Sequence, residues 1–322
     1  MKINFNIHDD LTGTRLDTII SNFVKTCSRK RAGYLINSSH ILVNNNKKKP
    51  GYRVKQGDVI KGIIHEPTIK TAVTPEKIDL NIIFEDDHII VINKTPGMVV
   101  HPAPGNLSKT LVNALLFHEP AIKNVGNDPF RSGIVHRLDK DTSGLMVVAK
   151  TTQALHFLQK EFKQRRVEKK YLALIAGNLS ETQGQINLPI GRHTVKRKIM
   201  TVNHETGKPA ITEWKVKTKY KTACLIEALL KTGRTHQIRV HFYAIDHPLI
   251  GDRIYQHRRY RKKKSAAPRQ MLHSWKLAFI HPYSGRKIAF TAELPDDFIQ
   301  TISLLNHLSG RETDNIIHKQ FQ

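Results

Sequence analysis

The first sixty residues combine apolar positions at helical spacing with short apolar runs. In TRLDTIISNFVK (14–25) apolar side chains recur every three or four positions, which predicts an amphipathic helix. A second helix is predicted over RKRAGYLIN (29–37), with Ala32, Leu35 and Ile36 on its inner face. ILVNNN (41–46) predicts a short strand, and GDVIKG (57–62) is typical of a hairpin. We expect these elements to form one small unit over residues 1–72.

The apolar pattern weakens after this unit and then resumes in a different form. EPTIKTAVTPEKIDL (66–80) carries two prolines and little periodicity, so we expect a linker whose core is 73–80. A larger domain is expected over 81–305, followed by a frayed tail over 306–322.

Short apolar runs that predict strands dominate the larger domain. They include NIIFE, HIIVINK, GLMVVAK and KYLALIAG, and helices are predicted over TLVNALLFH and TQALHFLQKEFKQRR. The strands arrive in groups rather than in strict alternation with helices. The chain is therefore expected to be an α+β protein with a mixed, mainly antiparallel sheet flanked by helices and loops.

Charge narrows the possible partners. The chain has 52 Lys and Arg against 27 Asp and Glu, a formal net charge of +25, while 39% of its residues are hydrophobic. So large an excess opposes compact folding by self-repulsion, and a polyanionic partner such as nucleic acid accounts for it best. A solvated basic surface without a partner is the alternative.

Several other classes of protein fit the sequence poorly. No apolar run approaches the roughly 20 residues that span a bilayer, and the first residues lack the apolar core of a signal peptide. Only Cys27 and Cys224 are present, without CxxC spacing, and the 18 histidines show no metal-ligand spacing. Neither GxGxxG nor GxxxxGK[ST] occurs. We expect a cytoplasmic protein with no metal and no cofactor.

A cluster of acidic and turn-forming residues stands out against this basic background. HRLDKDTSG (136–144) places Asp139, Asp141, Ser143 and Gly144 at the spacing that opens a calcium loop. The twelfth position of such a loop requires glutamate but is Lys150. A tight turn is one remaining interpretation, because these residue types favour turns.

A second stretch, KTGRTHQIRVH (231–241), favours a chemical role for that cluster. It follows the apolar run ACLIEALL, so Arg234 and Arg239 are expected at or near the end of a strand. A carboxylate beside an arginine is held ionised and oriented. An ionised, oriented aspartate can act as a nucleophile.

Together, GIVHRLDKDTSGLMVVAKT, KKYLALIAG, GRTHQIRVH and HPLIGD resemble the RNA pseudouridine synthases of the RluA/RluD group in order and spacing. RLDTIISNFV and GDVIKG resemble the two ends of an S4-like RNA-binding domain, which this group often carries at its N-terminus. The resemblance covers roughly residues 14–300. It implies an isomerase that detaches a uracil, rotates it and rejoins it through C5 without metal or cofactor.

The resemblance also implies roles for individual residues. Asp139 matches the aspartate that attacks the target uridine, and Tyr171 matches the aromatic residue that stacks on the uracil. Arg234 matches the arginine paired with the aspartate, although Arg239 remains an alternative. Arg137 matches the residue that fills the gap left by the flipped uridine, and Ile238 matches an apolar position of the base pocket. These roles agree with the general need of such enzymes to take a base out of the stack.

Further residues are expected to support binding. His136, Lys94 and Arg239 are assigned to the substrate site, and six basic residues are assigned to RNA: Arg29, Lys30, Arg31, Arg165, Arg166 and Arg197. Thr95 and Lys109 depart from the residues usual in the family, which affects local loop shape. The match over 191–214 to the RluD type favours large-subunit ribosomal RNA, free or in a pre-ribosomal particle, with the protein as a monomer. A synthase for transfer RNA or other ribosomal uridines, and a non-catalytic ribosome assembly factor, are the alternatives.

Overall fold

A computed structural model describes residues 2–24, 27, 29–64, 73–103, 105–196, 199–258 and 267–310. The chain divides into two compact units, Met1–Thr71 and Ala72–Gln322. Each unit has its own apolar core.

The first unit packs two helices on a small antiparallel sheet. Its elements are β1 (Lys2–Asn6), α1 (Leu16–Phe23), α2 (Arg29–Asn37), β2 (Ile41–Val43) and β3 (Val59–Ile63), with the strand order β1-β3-β2. The predicted inner residues of both helices are buried, except that Phe23 is 59% exposed and stacks on Phe5 of β1. The first strand was not predicted, although KINFN alternates polar and apolar residues as a half-buried strand does.

The second unit is built on a nine-stranded sheet and a separate two-stranded sheet. Its strands are β4 (Ile82–Glu85), β5 (Ile89–Lys94), β6 (Ser143–Ala149), β7 (Glu168–Ala176), β8 (Gln183–Asn187), β9 (Ile190–Arg192), β10 (Met200–Val202), β11 (Ile211–Lys219), β12 (Ala223–Leu230), β13 (Leu272–Ile280) and β14 (Lys287–Thr291). The large sheet runs β4-β5-β6-β13-β7-β12-β11-β8, with β14 on β13. Only β6 and β13 pair in parallel within it, so the expected mixed, mainly antiparallel sheet is confirmed.

Helices cover both faces of this sheet. They are α3 (Leu111–His118), α4 (Thr152–Lys163), α5 (Gln237–Ala244) and α6 (Asp296–Leu308), with short 3-10 turns at Pro120–Asn124 and Pro129–Arg131. A further 3-10 turn, Asp9–Leu11, belongs to the first unit. Strand β7 shows how the faces divide: Tyr171, Ala173 and Ile175 enter one core, while Leu172 and Leu174 enter another with Phe298 of α6. This alternation is the two-residue period of a strand buried on both faces.

The structure differs from two of the expected segment bounds. The stretch 73–80 is part of the second unit: Val73 is buried in its core, and the Asn113 side chain donates to the carbonyl of Thr74 (2.8 Å). The expected tail begins too early, since α6 continues through Leu308 and Asn306 is fully buried. In both cases tertiary packing orders a segment whose local pattern is weak.

The acidic cluster ends in glycine because the backbone of Gly144 lies very close to strand β13. Its φ is +110°, and a Cβ there would lie 2.3 Å from the carbonyl oxygen of Ser274 on β13. Only glycine allows β6 to approach β13 this closely. The short parallel pairing that results fixes the start of β6 directly after the acidic cluster.

Candidate active site

A cavity of about 590 Å³ opens in the second unit, on the face of the sheet that carries Tyr171. It is lined by residues drawn from three stretches, 135–142, 162–171 and 230–239, together with Leu272. These stretches contain the acidic cluster, the end of α4 with the start of β7, and the loop between β12 and α5. The structure therefore brings together Asp139, Tyr171, Arg234, Arg137, Ile238, Arg239, His136 and Arg165.

Two buried cations, Lys94 and Arg269, bind the backbone of the loop that carries Asp139. The Lys94 ammonium donates to the carbonyls of Lys140 (3.0 Å), Thr95 (2.8 Å) and Met98 (3.1 Å). The Arg269 guanidinium donates to the carbonyl of Asp141 (3.0 Å) and forms a two-pronged ion pair with Asp297. The backbone on the C-terminal side of Asp139 is thus fixed by charge-assisted hydrogen bonds.

Lys94 therefore has a different place from the one predicted. It is 2% exposed and lies under the loop, outside the lining of the cavity, with its donors directed to backbone carbonyls. Burial lowers the pKa of Lys94 to about 7; the charge of Arg269 adds to this effect, and Asp141 and Asp139 oppose it. Lys94 therefore stabilises the loop that shapes the site and does not form part of the surface that would contact substrate.

Asp139 is paired with Arg239, and the expected pairing with Arg234 was wrong. Arg239 Nη1 donates to Asp139 Oδ2 at 2.8 Å, whereas Arg234 Nε donates to the carbonyl of Pro209 at 3.1 Å. The physical reason is a turn at His236, after which α5 begins at Gln237 and its first turn carries Arg239 inward. Arg234 precedes that turn and lies on the cavity wall.

Asp252, from the HPLIGD stretch, orients Arg239. Arg239 Nε and Nη2 donate to its two oxygens at 2.6 and 3.0 Å, and Asp252 is fully buried. Burial opposes the charge of Arg239, but the hydrogen bond and charge of Asp252, and then those of Asp139, raise its pKa above the usual value. No pattern in the sequence predicts this role of Asp252, since HPLIGD contributes only to the family resemblance.

Tyr171 and two aliphatic residues form an apolar wall of the cavity. Tyr171, Ile238 and Leu138 are 6%, 3% and 4% exposed, and all three belong to one core. Burial raises the pKa of Tyr171 to about 12; a hydrogen bond with Ser274 acts in the opposite direction, and the charge of Asp139 adds to the rise. The tyrosine is therefore a neutral phenol near the Asp139 carboxylate.

His136, Phe162 and Lys169 form another wall. The His136 ring stacks on Phe162 with centroids 4.6 Å apart, and its Nε2 accepts from the backbone N–H of Val147 at 3.1 Å. Burial, and then the charge of Lys169, lowers the pKa of His136 to about 3, so the ring is neutral. Lys169 is 7% exposed and lies 5.4 Å from the centre of the Phe162 ring. Phe162 and Lys169 were not predicted as site residues, although Phe162 directly precedes the basic stretch KQRRVEKK (163–170) and Lys169 lies within it.

Exposed cations surround the opening of the cavity. Arg137, Lys163, Arg165, Lys231 and the half-buried Arg234 lie on its lining. Arg166, by contrast, is absent from that lining and pairs with the buried carboxylate of Glu161. In the first unit, exposed Arg29 lies 3.4 Å from Asp17, and Arg31 is half-buried. The side chain of Lys30 and the whole of Arg197 lie outside the described residues.

This arrangement favours covalent chemistry on a planar polar group. A half-buried carboxylate with one oxygen fixed by a buried arginine is oriented for nucleophilic attack. An aromatic and aliphatic wall suits the face of a base, and the cations at the opening suit phosphates. Across the described part of the chain, no group of three His, Cys, Asp or Glu is placed to hold a metal ion. Nor is any helix of that part long and apolar enough to cross a membrane.

These features fit an enzyme that modifies a base of RNA, and comparison with known proteins identifies its family. A model described as RNA pseudouridylate synthase matches residues 88–244, and an S4 domain model matches 14–60. A ribosomal large subunit pseudouridine synthase D of Nitrosomonas europaea is 41% identical over 95% of this chain and 88% of its own length. One of the same name from Neisseria meningitidis is 38% identical over 100% of this chain and 86% of its own. The chain belongs to the RNA pseudouridine synthase family.

Solved structures show the same relationship. Human RNA pseudouridylate synthase domain containing 1 has a TM-score of 0.54 and 26% identity, and the match covers 75% of this chain and 94% of the human chain. A second human protein, RNA pseudouridylate synthase domain containing 4, shares the fold with a TM-score of 0.56 and 24% identity. The resemblance inferred from the motifs is confirmed: the protein is an isomerase that forms pseudouridine in RNA, with an S4 domain at its N-terminus.

Proposed function

We propose that this protein converts specific uridines of large-subunit ribosomal RNA to pseudouridine, with Asp139 as the nucleophile. The observation that supports the chemistry best is the carboxylate of Asp139, held 2.8 Å from Arg239 and open to a cavity walled by Tyr171 and Ile238. The choice of RNA rests on relatives of about 40% identity that are named for the large subunit. The substrate is free RNA or a pre-ribosomal particle in the cytoplasm, and the protein acts as a monomer.

Each residue of the proposed site has a role that follows from its surroundings. Tyr171 offers its ring to the face of the uracil, and Ile238 closes the apolar pocket. Arg137 is exposed at the cavity and fills the space that the flipped uridine leaves in the RNA. Arg239 orients Asp139, while the exposed cations, including those of the S4 domain, bind phosphates and add affinity without sequence choice.

The test compares two carboxylates of the same loop. Purified protein, Asp139→Asn and Asp141→Asn are each incubated with large-subunit ribosomal RNA, small-subunit ribosomal RNA and transfer RNA, and pseudouridines are mapped. Asp139→Asn should form no pseudouridine while binding RNA nearly as well as the wild type. Asp141→Asn is the matched control, because Arg269 contacts only the backbone carbonyl of that residue; it should retain activity. Turnover by Asp139→Asn would refute the assignment, and product in transfer RNA alone would refute the choice of substrate.

A further inference from the structure

His236 occupies an unusual backbone conformation at the edge of the cavity. Its φ is +58° and its ψ is +19°, a left-handed conformation that non-glycine residues adopt rarely and at an energetic cost. It immediately precedes α5 and lines the cavity that contains Asp139. Strain of this kind persists only where surrounding contacts hold it, and it is concentrated at functional sites.

The contact that holds the His236 ring also sets its protonation. His236 Nδ1 lies 2.8 Å from the hydroxyl of Tyr255, and that hydroxyl oxygen already accepts from the backbone N–H of Met200 at 2.9 Å. The hydroxyl hydrogen is therefore available for Nδ1. Burial lowers the pKa of His236, against the opposing influence of the Asp139 charge, so the ring is neutral. A neutral ring that accepts at Nδ1 carries its hydrogen on Nε2.

That Nε2 hydrogen faces the oxygen of Asp139 that Arg239 does not bind. His236 Nε2 is 3.7 Å from Asp139 Oδ1, too far for a hydrogen bond, while Oδ2 accepts from Arg239 at 2.8 Å. Among the described residues, His236 Nε2 makes no hydrogen bond. The two carboxylate oxygens thus have separate environments, and Oδ1 shares its side of the cavity with an unused N–H donor.

We propose that His236 is a catalytic residue that donates its Nε2 hydrogen to a carbonyl oxygen of the uracil while Asp139 Oδ1 reacts. This inference rests on the proposed pseudouridine synthase chemistry of Asp139. A uridine close enough to be attacked by Oδ1 lies within reach of a donor 3.7 Å from the same atom.

A hydrogen-bond donor at this position would stabilise developing negative charge by either route of attack. If Oδ1 bonds to C1′, the electron pair of the C1′–N1 bond leaves with the base and spreads to O2 and O4. If Oδ1 adds to C6, the electron pair of the C5–C6 double bond moves toward O4. No proton moves in either step, and both place negative charge on a uracil carbonyl oxygen. A donor fixed in advance at that position stabilises the transition state without reorganisation.

The first test replaces His236 with a residue that tolerates the same backbone. Asparagine adopts the left-handed conformation more readily than most residues but does not reach the position of Nε2. We expect His236→Asn to lower the single-turnover rate at saturating RNA by about 100-fold, with RNA affinity unchanged within about twofold. A loss of less than tenfold would overturn the proposal. If His236→Asn does not fold, His236→Gly, which suits the same φ, is judged by the same criterion.

A matched control separates catalysis from folding. His241 lies on α5, buried and bonded to Thr212 Oγ1 (2.9 Å) and to the carbonyl of Leu188 (3.0 Å), and it does not line the cavity. His241→Asn should lower thermal stability and leave the single-turnover rate of the folded protein within about threefold of wild type. An equal loss of rate in both variants would assign His236 a structural role and overturn the proposal.

The second test changes the acceptor on the substrate. RNA that carries 2-thiouridine or 4-thiouridine at the mapped target replaces one carbonyl oxygen with a weaker acceptor. If His236 contacts that oxygen, thio-substitution slows the wild type but has a smaller effect on His236→Asn, as expected for coupled groups. Equal thio effects in both proteins at both positions would show that His236 touches neither oxygen. If the wild type makes no pseudouridine at all, it is the proposed function that fails.

Discussion

Two sets of cations surround the loop that carries Asp139, and they differ in what they contact. Lys94, Arg239 and Arg269 are 2–7% exposed, and each donates to two or more fixed oxygens of the protein. Arg137, Lys163 and Arg165 at the opening of the cavity are exposed. The buried set shapes and orients one carboxylate, whereas the exposed set presents charge to a partner.

The difference follows from the dielectric environment. A charge-assisted hydrogen bond in a buried site is strong and geometrically specific, but it has to be complete, because an unpaired buried charge is costly. Exposed charges are screened by salt, and each contributes little alone. Substitutions in the buried set should therefore change rate and stability, and substitutions in the exposed set should change the salt dependence of binding.

The two arginines of GRTHQIRVH provide the strongest test of this comparison. Arg239→Ala should lower the single-turnover rate at saturating RNA by at least about 100-fold, since Asp139 loses the partner that orients it. It should also lower the free energy of unfolding by about 3–5 kcal/mol, because Asp252 is left buried and unpaired. Arg239→Lys keeps the charge but loses the planar fork, so it should recover activity only in part.

Arg234→Ala is the matched control for Arg239. Its guanidinium bonds one backbone carbonyl and lies on the cavity wall, so the variant should bind RNA more weakly and recover most of its rate at saturating RNA. A rate loss in Arg234→Ala as deep as in Arg239→Ala would mean that the two arginines rearrange when RNA binds. Arg234 would then share with Arg239 the role of orienting Asp139.

A substitution at Lys94 tests whether a buried cation outside the cavity lining contributes as much to stability as Arg239, which lines the cavity. Lys94→Met removes the donor from three carbonyl oxygens. The Lys140 carbonyl keeps the backbone N–H of Gly97 as a donor, whereas the carbonyls of Thr95 and Met98 lose the Lys94 donor. An acceptor left without its partner costs about 1–3 kcal/mol, so we expect the free energy of unfolding to fall by about 2–6 kcal/mol. Denaturant unfolding measures this change. Lys140→Met, on the exposed side of the same loop, should alter stability by less than about 0.5 kcal/mol.

The part of this site that sequence predicts is the part encoded in contiguous stretches. HRLDKDTSG and KYLALIAG each place a functional residue next to a strand of clear apolar pattern, so Asp139 and Tyr171 could be found from the sequence. Strands β4 to β7, strand β12 and helices α1 to α4 were predicted for the same reason. Their local periodicity agrees with their final surroundings.

The choice between Arg234 and Arg239 could not be made this way. It depends on a left-handed residue at His236, which is held by Tyr255, 19 positions further along the chain. Helix α5 was not predicted, because buried polar residues such as Gln237 and His241 interrupt its apolar pattern. The roles of Asp252 and Lys94 likewise depend on contacts between distant strands and loops. Such contacts leave no periodic signal.

The buried region also contains neutral histidines, which predict sensitivity to acid. Burial lowers the pKa of His273 to about 4 and that of His136 to about 3, below the ordinary value of 6.5. The unfolded chain therefore takes up more protons than the folded chain between pH 6.5 and pH 4, and the free energy of unfolding should fall as pH falls through this window. For His273 the loss by pH 4 is on the order of 3 kcal/mol.

Replacing His273 isolates its share of that acid sensitivity. His273→Gln should be less stable at pH 7, because Ser143 Oγ loses the His273 ring, one of its three partners, at 3.0 Å, but its stability should depend less steeply on pH between 6.5 and 4. His307→Gln, at an exposed position of α6, should leave the slope unchanged. Denaturant unfolding at a series of pH values provides both slopes. Equal slopes for wild type and His273→Gln would show that His273 does not contribute.

The smallest expected effect distinguishes two adjacent arginines outside the buried set. Arg165 is exposed on the cavity lining, whereas Arg166 is paired with Glu161 away from it. Arg165→Gln should flatten the slope of log Kd against log salt by about 0.7–0.9, the value for one lost phosphate contact, with no change in rate at saturating RNA. Arg166→Gln should leave that slope unchanged and lower stability, because it leaves the Glu161 carboxylate without its partner. RNA titrations at several salt concentrations measure the slope for each variant. Equal slopes in the two variants would mean that exposure at the cavity does not predict contact with phosphate.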